Sequence, residues 1–265
     1  MNDLVVIVLA AGRGSRLSAA GVDGAKWLAC VAQQPLAQRQ AAAFQSAVPD
    51  STLLVVTGYG HDRVAAWMQE QTTWTGRGHL LFNEQWATRN NWWSLLLAVR
   101  HVEVTARGSN IVVVNSDLCA AVGWYEPFLR SSRMLSADGA QLAIDFERPL
   151  TDEAMKVSAR TGSGQQPVLS QIGKRGIDAP IGEYVGMAAF GPATRRVLGA
   201  QLTGFEGDSA AADEWYEGAF RELARAGHAI DLVGVPNTRW VEIDDGNDLQ
   251  DAQALLVADS SGSAA

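Results

Sequence analysis

The chain opens its pattern with an unbroken apolar run, Leu4 to Leu9, rich in β-branched residues. Without polar alternation, such a run predicts a strand buried on both faces. Strand-like and helix-like segments then alternate. Helices are predicted over Pro35–Val48, His61–Gln71, Trp92–Val102, Tyr125–Ser136, Ala211–Ala226 and Asn247–Val257. Strands are predicted at Thr52–Thr57, His79–Phe82, Asn110–Val114, Gln141–Asp145, Glu183–Phe190, Ala229–Val235 and Arg239–Ile243. This alternation is the mark of an α/β protein with a doubly wound, mostly parallel sheet. Ligands of such sheets sit at the carboxyl ends of the strands. From Phe146 to Pro180 the pattern weakens around the turn Thr161-Gly162-Ser163-Gly164, which reads as a small β-rich insertion.

Length and composition refine this only modestly. The 265 residues fit one domain over residues 1–258, with residues 146–182 as the insertion and 259–265 as a flexible tail. A net charge of −8 argues against nucleic acid as a partner but leaves room for a nucleotide pocket with local cations. No stretch is long and apolar enough for a membrane span, so no membrane is expected and a cytoplasmic enzyme is the default. Cys30 and Cys119 are too few for a disulfide framework or zinc site, and four scattered histidines lack ligand spacing.

The chemistry concentrates after the first strand. Ala10-Ala11-Gly12-Arg13-Gly14-Ser15-Arg16 is a loop of small residues whose backbone amides can cradle an anion. Arg13 and Arg16 add guanidinium forks for phosphate, and Lys26 can fold back over the same place. The loop is neither a dinucleotide fingerprint nor a Walker A loop. Asp117 follows the strand ending at Val114, where a hard carboxylate suits Mg²⁺ shared with phosphates. Glu242 and Asp244 alternate onto one strand face and would repel unless a cation lies between them, whereas Asp245 and Asp248 read as helix-start residues.

The run Leu9-Ala10-Ala11-Gly12-Arg13-Gly14-Ser15-Arg16-Leu17, with Lys26 beyond it, resembles the signature of nucleotidyltransferases that make activated sugars and alcohols. Their pattern is L-A-A-G-x-G-S/T-R-L/M, then Pro-Lys; here Ala25 stands for the proline. Trp240 to Leu249 resembles the family's final strand. The loop from Asn83 through Asn90-Asn91-Trp92-Trp93-Ser94-Leu95 and the segment Asp152-Glu153-Ala154-Met155-Lys156-Val157 look most like choline-phosphate and phosphonate cytidylyltransferases.

The resemblance implies a Rossmann-like domain that transfers CMP from CTP to a small phosphate or phosphonate acceptor and releases pyrophosphate, with Mg²⁺ as cofactor. It implies that Leu9 to Ser15 and Asn83, Asn90, Asn91 and Ser94 bind the nucleotide. Lys26, Arg16 and Lys156 are then catalytic. Asp145, Arg148, Lys156, Glu183 and Trp215 face the acceptor. Asp117 and Asp244 hold metal, with Glu242 as the alternative ligand. A homodimer is compatible with this reading.

The cations Arg148, Lys156, Lys174 and Arg175 favour a phosphonate with a second anionic group, whereas an aromatic box from Trp86, Trp92, Trp93 and Trp215 would favour choline. Two rivals are a sugar-phosphate nucleotidylyltransferase using UTP, dTTP or GTP, and a non-catalytic nucleotide-binding regulator. The base loop argues against the first, and the retained Lys26, Asp117 and Asp244 against the second.

Overall fold

The structure is a computed structural model that describes residues 3–19, 24–121, 123–208, 211–236 and 239–262, the side chains of 258–262 excepted. In chain order the strands are β1 (Leu4–Ala10), β2 (Cys30–Val31), β3 (Gln34–Pro35), β4 (Thr52–Thr57), β5 (Gly78–Phe82), β6 (Asn110–Asn115), β7 (Leu118–Ala120), β8 (Ala140–Asp145), β9 (Lys156–Thr161), β10 (Pro167–Gly173), β11 (Gly182–Phe190), β12 (Asp231–Gly234) and β13 (Trp240–Glu242). The helices are α1 (Ser15–Ala19), α2 (Leu36–Ala47), α3 (His61–Glu70), α4 (Asn91–Thr105), α5 (Glu126–Arg133), α6 (Pro192–Glu206), α7 (Glu217–Arg225) and α8 (Gly246–Gly262).

Nine strands form one sheet in the order β5-β4-β1-β6-β11-β8-β12-β10-β9. β1 runs parallel to β4 and β6, as its apolar run predicts. Side chains of β1 alternate between two cores. Val5, Ile7 and Leu9 join the core covered by α4, α6 and α7. Leu4, Val6, Val8 and Ala10 join the core covered by α2, α3 and α5. Helices thus cover both faces, and neither face of β1 meets water.

The sheet is mixed rather than mostly parallel. β11 runs antiparallel to β6, β8 and β9, and β10 antiparallel to β9 and β12. The physical reason lies in the insertion. β9 and β10 form a hairpin and return the chain to the sheet through β11 without a crossover helix, so β11 enters in the opposite direction. Because β9 bonds to both β10 and β11, strands β11, β8, β12, β10 and β9 close a ring beside the open parallel half.

β11 bulges between Tyr184 and Ala188. Gly186 sits there at φ +83°, and a Cβ on it would meet the Asn115 side chain at 2.9 Å. The last helix runs to Gly262, so residues 259–262, expected as tail, continue α8; residues 263–265 lie outside the described residues. No helix among the described residues is long and apolar enough to cross a membrane. Cys30 and Cys119 are both free thiols.

Candidate active site

The site is built where β1 and β6 end. After β1 the loop turns at Gly14, whose φ of +62° suits glycine and whose missing side chain leaves space for the stem of Lys26, 3.1 Å from where a Cβ would stand. After β6, Asp117 leads into β7. β7 pairs antiparallel with β13, matching Leu118 with Glu242, and the Ile243 amide donates to the Asp117 carbonyl at 3.0 Å. This two-stranded ribbon carries Glu242 and Asp244 to Asp117. One carboxylate oxygen from each lies within 4.8 Å of the others. Asp248 fixes the next turn by accepting from the amides of Asp244 and Asp245 at 2.9 Å each, as expected of a helix-start acid.

Lys26 lies between these acids. Its Nζ donates to Asp117 Oδ2 at 2.8 Å and to Asp244 Oδ1 at 2.6 Å. Burial disfavours its charge, but the two carboxylates outweigh this and hold the ammonium well above its ordinary range. Arg16 also reaches Asp244, at 2.8 Å, yet its side chain is 63% exposed against 11% for Lys26. Lys26 is therefore the internal counter-ion, and Arg16 sits at the solvent edge. Burial works against ionisation of Asp244, but Lys26 and then Arg16 hold its carboxyl below the usual value. Glu242 is the opposite case. Surrounding protein, then the charges of Asp117 and Asp244, push its carboxyl up.

These groups line a cleft of about 370 Å³. The structure brings into it Leu9, Gly12, Gly14, Ser15, Arg16, Lys26, Asn91, Asp117, Trp215, Glu242 and Asp244, all flagged from sequence. Lys174, one of the cations expected on the acceptor side, lines it too, and Asn115, Ser116, Met155 and Glu217 join them. Burial pushes the Glu217 carboxyl up to about 7, partly offset by its own amide and by Tyr216. Following Trp215-Tyr216 at the start of a helix, Glu217 reads in sequence as an ordinary first-turn acid, which is why its place in the cleft was not foreseen.

Beside the cleft, sharing Leu9, Gly12 and Asn91, is a recess of about 120 Å³ lined further by Ala11, Asn83, Trp86, Arg89, Asn90 and Ser94. The asparagines expected to read a base are engaged within the protein. Asn83 donates to Ser94 Oγ at 2.9 Å and accepts from the Gln85 amide at 2.8 Å. Asn90 caps α4 through the Asn91 amide at 2.7 Å and donates to the Asp213 carbonyl at 2.9 Å. Asn91 Oδ1 accepts from the Tyr216 amide at 2.9 Å. They build the recess. Arg89 is different: its guanidinium lies 4.3 Å from the Trp93 ring centroid, and its buried Nη1 has no hydrogen-bond partner among the described residues.

Several expected site residues line neither space. Ala10 is packed in the core. Arg13 lies over the Tyr59 ring at 5.5 Å. Asp145 is fully buried, accepting from Trp240 Nε1 at 2.8 Å and from the amides of Glu147 and Arg148 at 2.9 and 3.0 Å. Arg148 stacks over the Trp240 ring at 4.3 Å. Lys156 donates to the Lys174 carbonyl at 3.0 Å. Glu183 stands across the sheet from Asp145 and Lys156.

Of the expected cationic acceptor set, Lys174 reaches the cleft and lines an adjoining groove with Arg175, while Arg148 and Lys156 are engaged elsewhere. The aromatic box is not formed either. Trp92 and Trp93 are core residues, Trp86 packs on Tyr59, and the Trp215 ring has Lys174 Nζ 5.0 Å from its centroid.

Asp145 acts on the site at one remove, because Trp240 begins the strand that ends at Glu242. Asp145→Ala would leave the buried Trp240 Nε1 and two half-buried amides without their acceptor. It is expected to lower stability by about 2–4 kcal/mol, read from denaturant midpoints, whereas Asp145→Asn retains an acceptor and loses less.

Solved structures share this architecture. The CTP:phosphocholine cytidylyltransferase of Streptococcus pneumoniae matches with a TM-score of 0.71 at 16% identity, over 96% of this chain and 99% of that one. The inositol-1-phosphate CTP transferase of T. maritima gives 0.73 at 16% identity, over 96% and 97%. A UDP-glucose pyrophosphorylase complexed with UDP-glucose gives 0.70 at 13% identity, over 96% and 98%. No relative among curated proteins matches the chain. The model of the MobA-like NTP transferase domain matches residues 6–178, which include the glycine-arginine loop, Lys26 and Asp117, and it is to this family that the chain belongs.

Proposed function

We propose that the chain transfers CMP from CTP to a small phosphate or phosphonate acceptor. The observation that carries this reading is the convergence of Lys26, the loop over Gly12–Arg16 and three carboxylates in one cleft, with a narrow recess opening beside it. An acceptor oxygen attacks the α-phosphorus, the bond to the bridging oxygen of the β-phosphate breaks, and pyrophosphate leaves. The acceptor oxygen is already ionised, so positioning and charge neutralisation matter more than a strong base.

Amides of the loop and Arg16 would hold the triphosphate, and Lys26 would stabilise charge growing on it. The donor set fits a hard divalent cation: all three side chains offer oxygen, and Asp117 Oδ1 is buried without a partner among the described residues. Asp117 and Asp244, with Glu242 beside them, would hold Mg²⁺, which supplies further neutralisation of phosphate charge.

The base preference rests on Arg89. A guanidinium offers donors only. Cytosine presents two adjacent acceptors, N3 and O2, whereas uracil puts a donor at N3. The likeness to two CTP-using proteins supports the same base. The test is pyrophosphate release across four NTPs with Mg²⁺ and a small acceptor panel. CTP should lead, and Arg89→Ala should narrow the CTP-over-UTP preference by about tenfold or more. Preference of the wild type for UTP or GTP would replace this reading with a sugar-nucleotide one.

A further inference from the structure

Behind the cleft, one side chain holds both segments that carry its central ion pair. Gln40 lies on the buried face of α2 and is 0% exposed. Its Oε1 accepts from Trp27 Nε1 at 2.8 Å. Its Nε2 donates to the Asn115 carbonyl at 3.0 Å and to the Leu118 carbonyl at 2.8 Å. Trp27 follows Lys26 in the single helical turn Lys26–Leu28 and is itself fully buried, edge-on to Trp67 at 5.0 Å. Asn115 and Leu118 flank Asp117, so the two N–H groups of one amide close the turn from β6 to β7 that presents it. Gln40 thus bridges two stretches of backbone whose side chains meet where Lys26 Nζ bonds Asp117 Oδ2 at 2.8 Å.

Its surroundings on α2 are apolar: Ala37, Ala41 and Phe44 pack in the same core. A polar side chain buried there costs stability unless its bonds are made, and here both N–H groups and the carbonyl are paired. A buried network with every member satisfied is rigid. A carboxylate at this position would offer no donor to the two carbonyls, and methionine would fill the space while making none of the three bonds.

We propose that Gln40 is a positioning residue of the active site. Acting through Trp27 and the turn between β6 and β7, it sets the placement of Lys26 against Asp117, and with it the seat of the divalent cation and the triphosphate. This deepens the transfer reading and rests on it. Gln40 lines neither the cleft nor the recess, so its effect passes entirely through the groups it holds.

The test is Gln40→Met, which keeps the volume and removes the three bonds. Well below its melting midpoint, kcat for pyrophosphate release should fall about 30-fold while the CTP KM changes by less than about threefold. The Kd for Mn²⁺, read by electron paramagnetic resonance without turnover, should rise about tenfold or more. Trp27→Phe removes only the bond on the Lys26 side and should lower kcat about fivefold. In the double variant that second loss should vanish, because Gln40→Met has already broken the same bond.

A folded Gln40→Met protein with native kcat or native Mn²⁺ affinity overturns the proposal, whatever its melting midpoint. So does native kcat in Trp27→Phe, which decides the matter where the methionine variant does not fold, and so do fully additive losses in the double variant. Failure of the underlying reading looks different: the wild type then releases no pyrophosphate from CTP, while the Mn²⁺ comparison still decides the role of Gln40.

Discussion

Asp117→Asn and Asp244→Asn are each expected to lower metal-dependent turnover by about a thousandfold while the protein stays folded. Neither side chain packs a core. Asp117 sits just beyond β6 and is 18% exposed, and Asp244 lies beyond β13 and is 31% exposed. Asparagine keeps the shape of each carboxylate and removes its charge. The carboxylates also hold Lys26, so each variant removes the charge from one of its two anchors and weakens the charge neutralisation at the triphosphate on two counts. The measurement is pyrophosphate release during Mg²⁺ and Mn²⁺ titrations, with thermal midpoints run beside it. Near-native rate at saturating metal in either variant would remove that residue from the metal role.

Lys26→Ala should reduce kcat by about a hundredfold or more and raise the CTP KM less, because its proposed contact strengthens as charge develops during transfer. A second effect follows from its bonds to Asp117 and Asp244. Without Lys26 the three acids face one another with exposed Arg16 bonded to Asp244 and Lys174 farther along the cleft wall. The metal-free variant should melt lower than the wild type, and added Mg²⁺ should raise its midpoint by more than it raises that of the wild type. A raised KM with unchanged kcat would make Lys26 a binding residue. Equal responses to Mg²⁺ would mean that the lysine does not balance the acid cluster.

Much of the site was legible because its signals are local. The loop after β1, Lys26 and the acids at the ends of β6 and β13 are short motifs tied to strong apolar runs. What was not legible depends on pairing at a distance. The alternation of elements suggested a mostly parallel sheet, because the direction in which β11 enters is set by the hairpin before it rather than by its own residues. α6 was missed: Gly199 and Gly204 interrupt its pattern, and its fully buried Arg195 looks like a surface residue until its bonds to the Ser109 and Arg107 carbonyls and Glu103 are seen. The helix expected over residues 211–226 begins only at Glu217. The asparagines in the recess have the chemistry of base readers, but cap, turn and loop bonds engage them. Composition cannot show that Arg89 keeps a buried donor unengaged while Asn83 and Asn90 spend theirs on Ser94 and the Asp213 carbonyl.

The ribbon of β7 and β13 also sets the order in which the protein becomes competent as it is made. Asp117 leaves the ribosome well before Glu242 and Asp244, with the hairpin, β11, α6 and α7 emerging in between. A nascent chain can close the open half of the sheet and bring Lys26 to Asp117 while the acid cluster is still incomplete. Only when Trp240 meets its place beside Ala120 and above Asp145 do the last two carboxylates arrive. The cleft is thus finished by the final strand, and a chain arrested before it can be largely folded yet hold one carboxylate of the three.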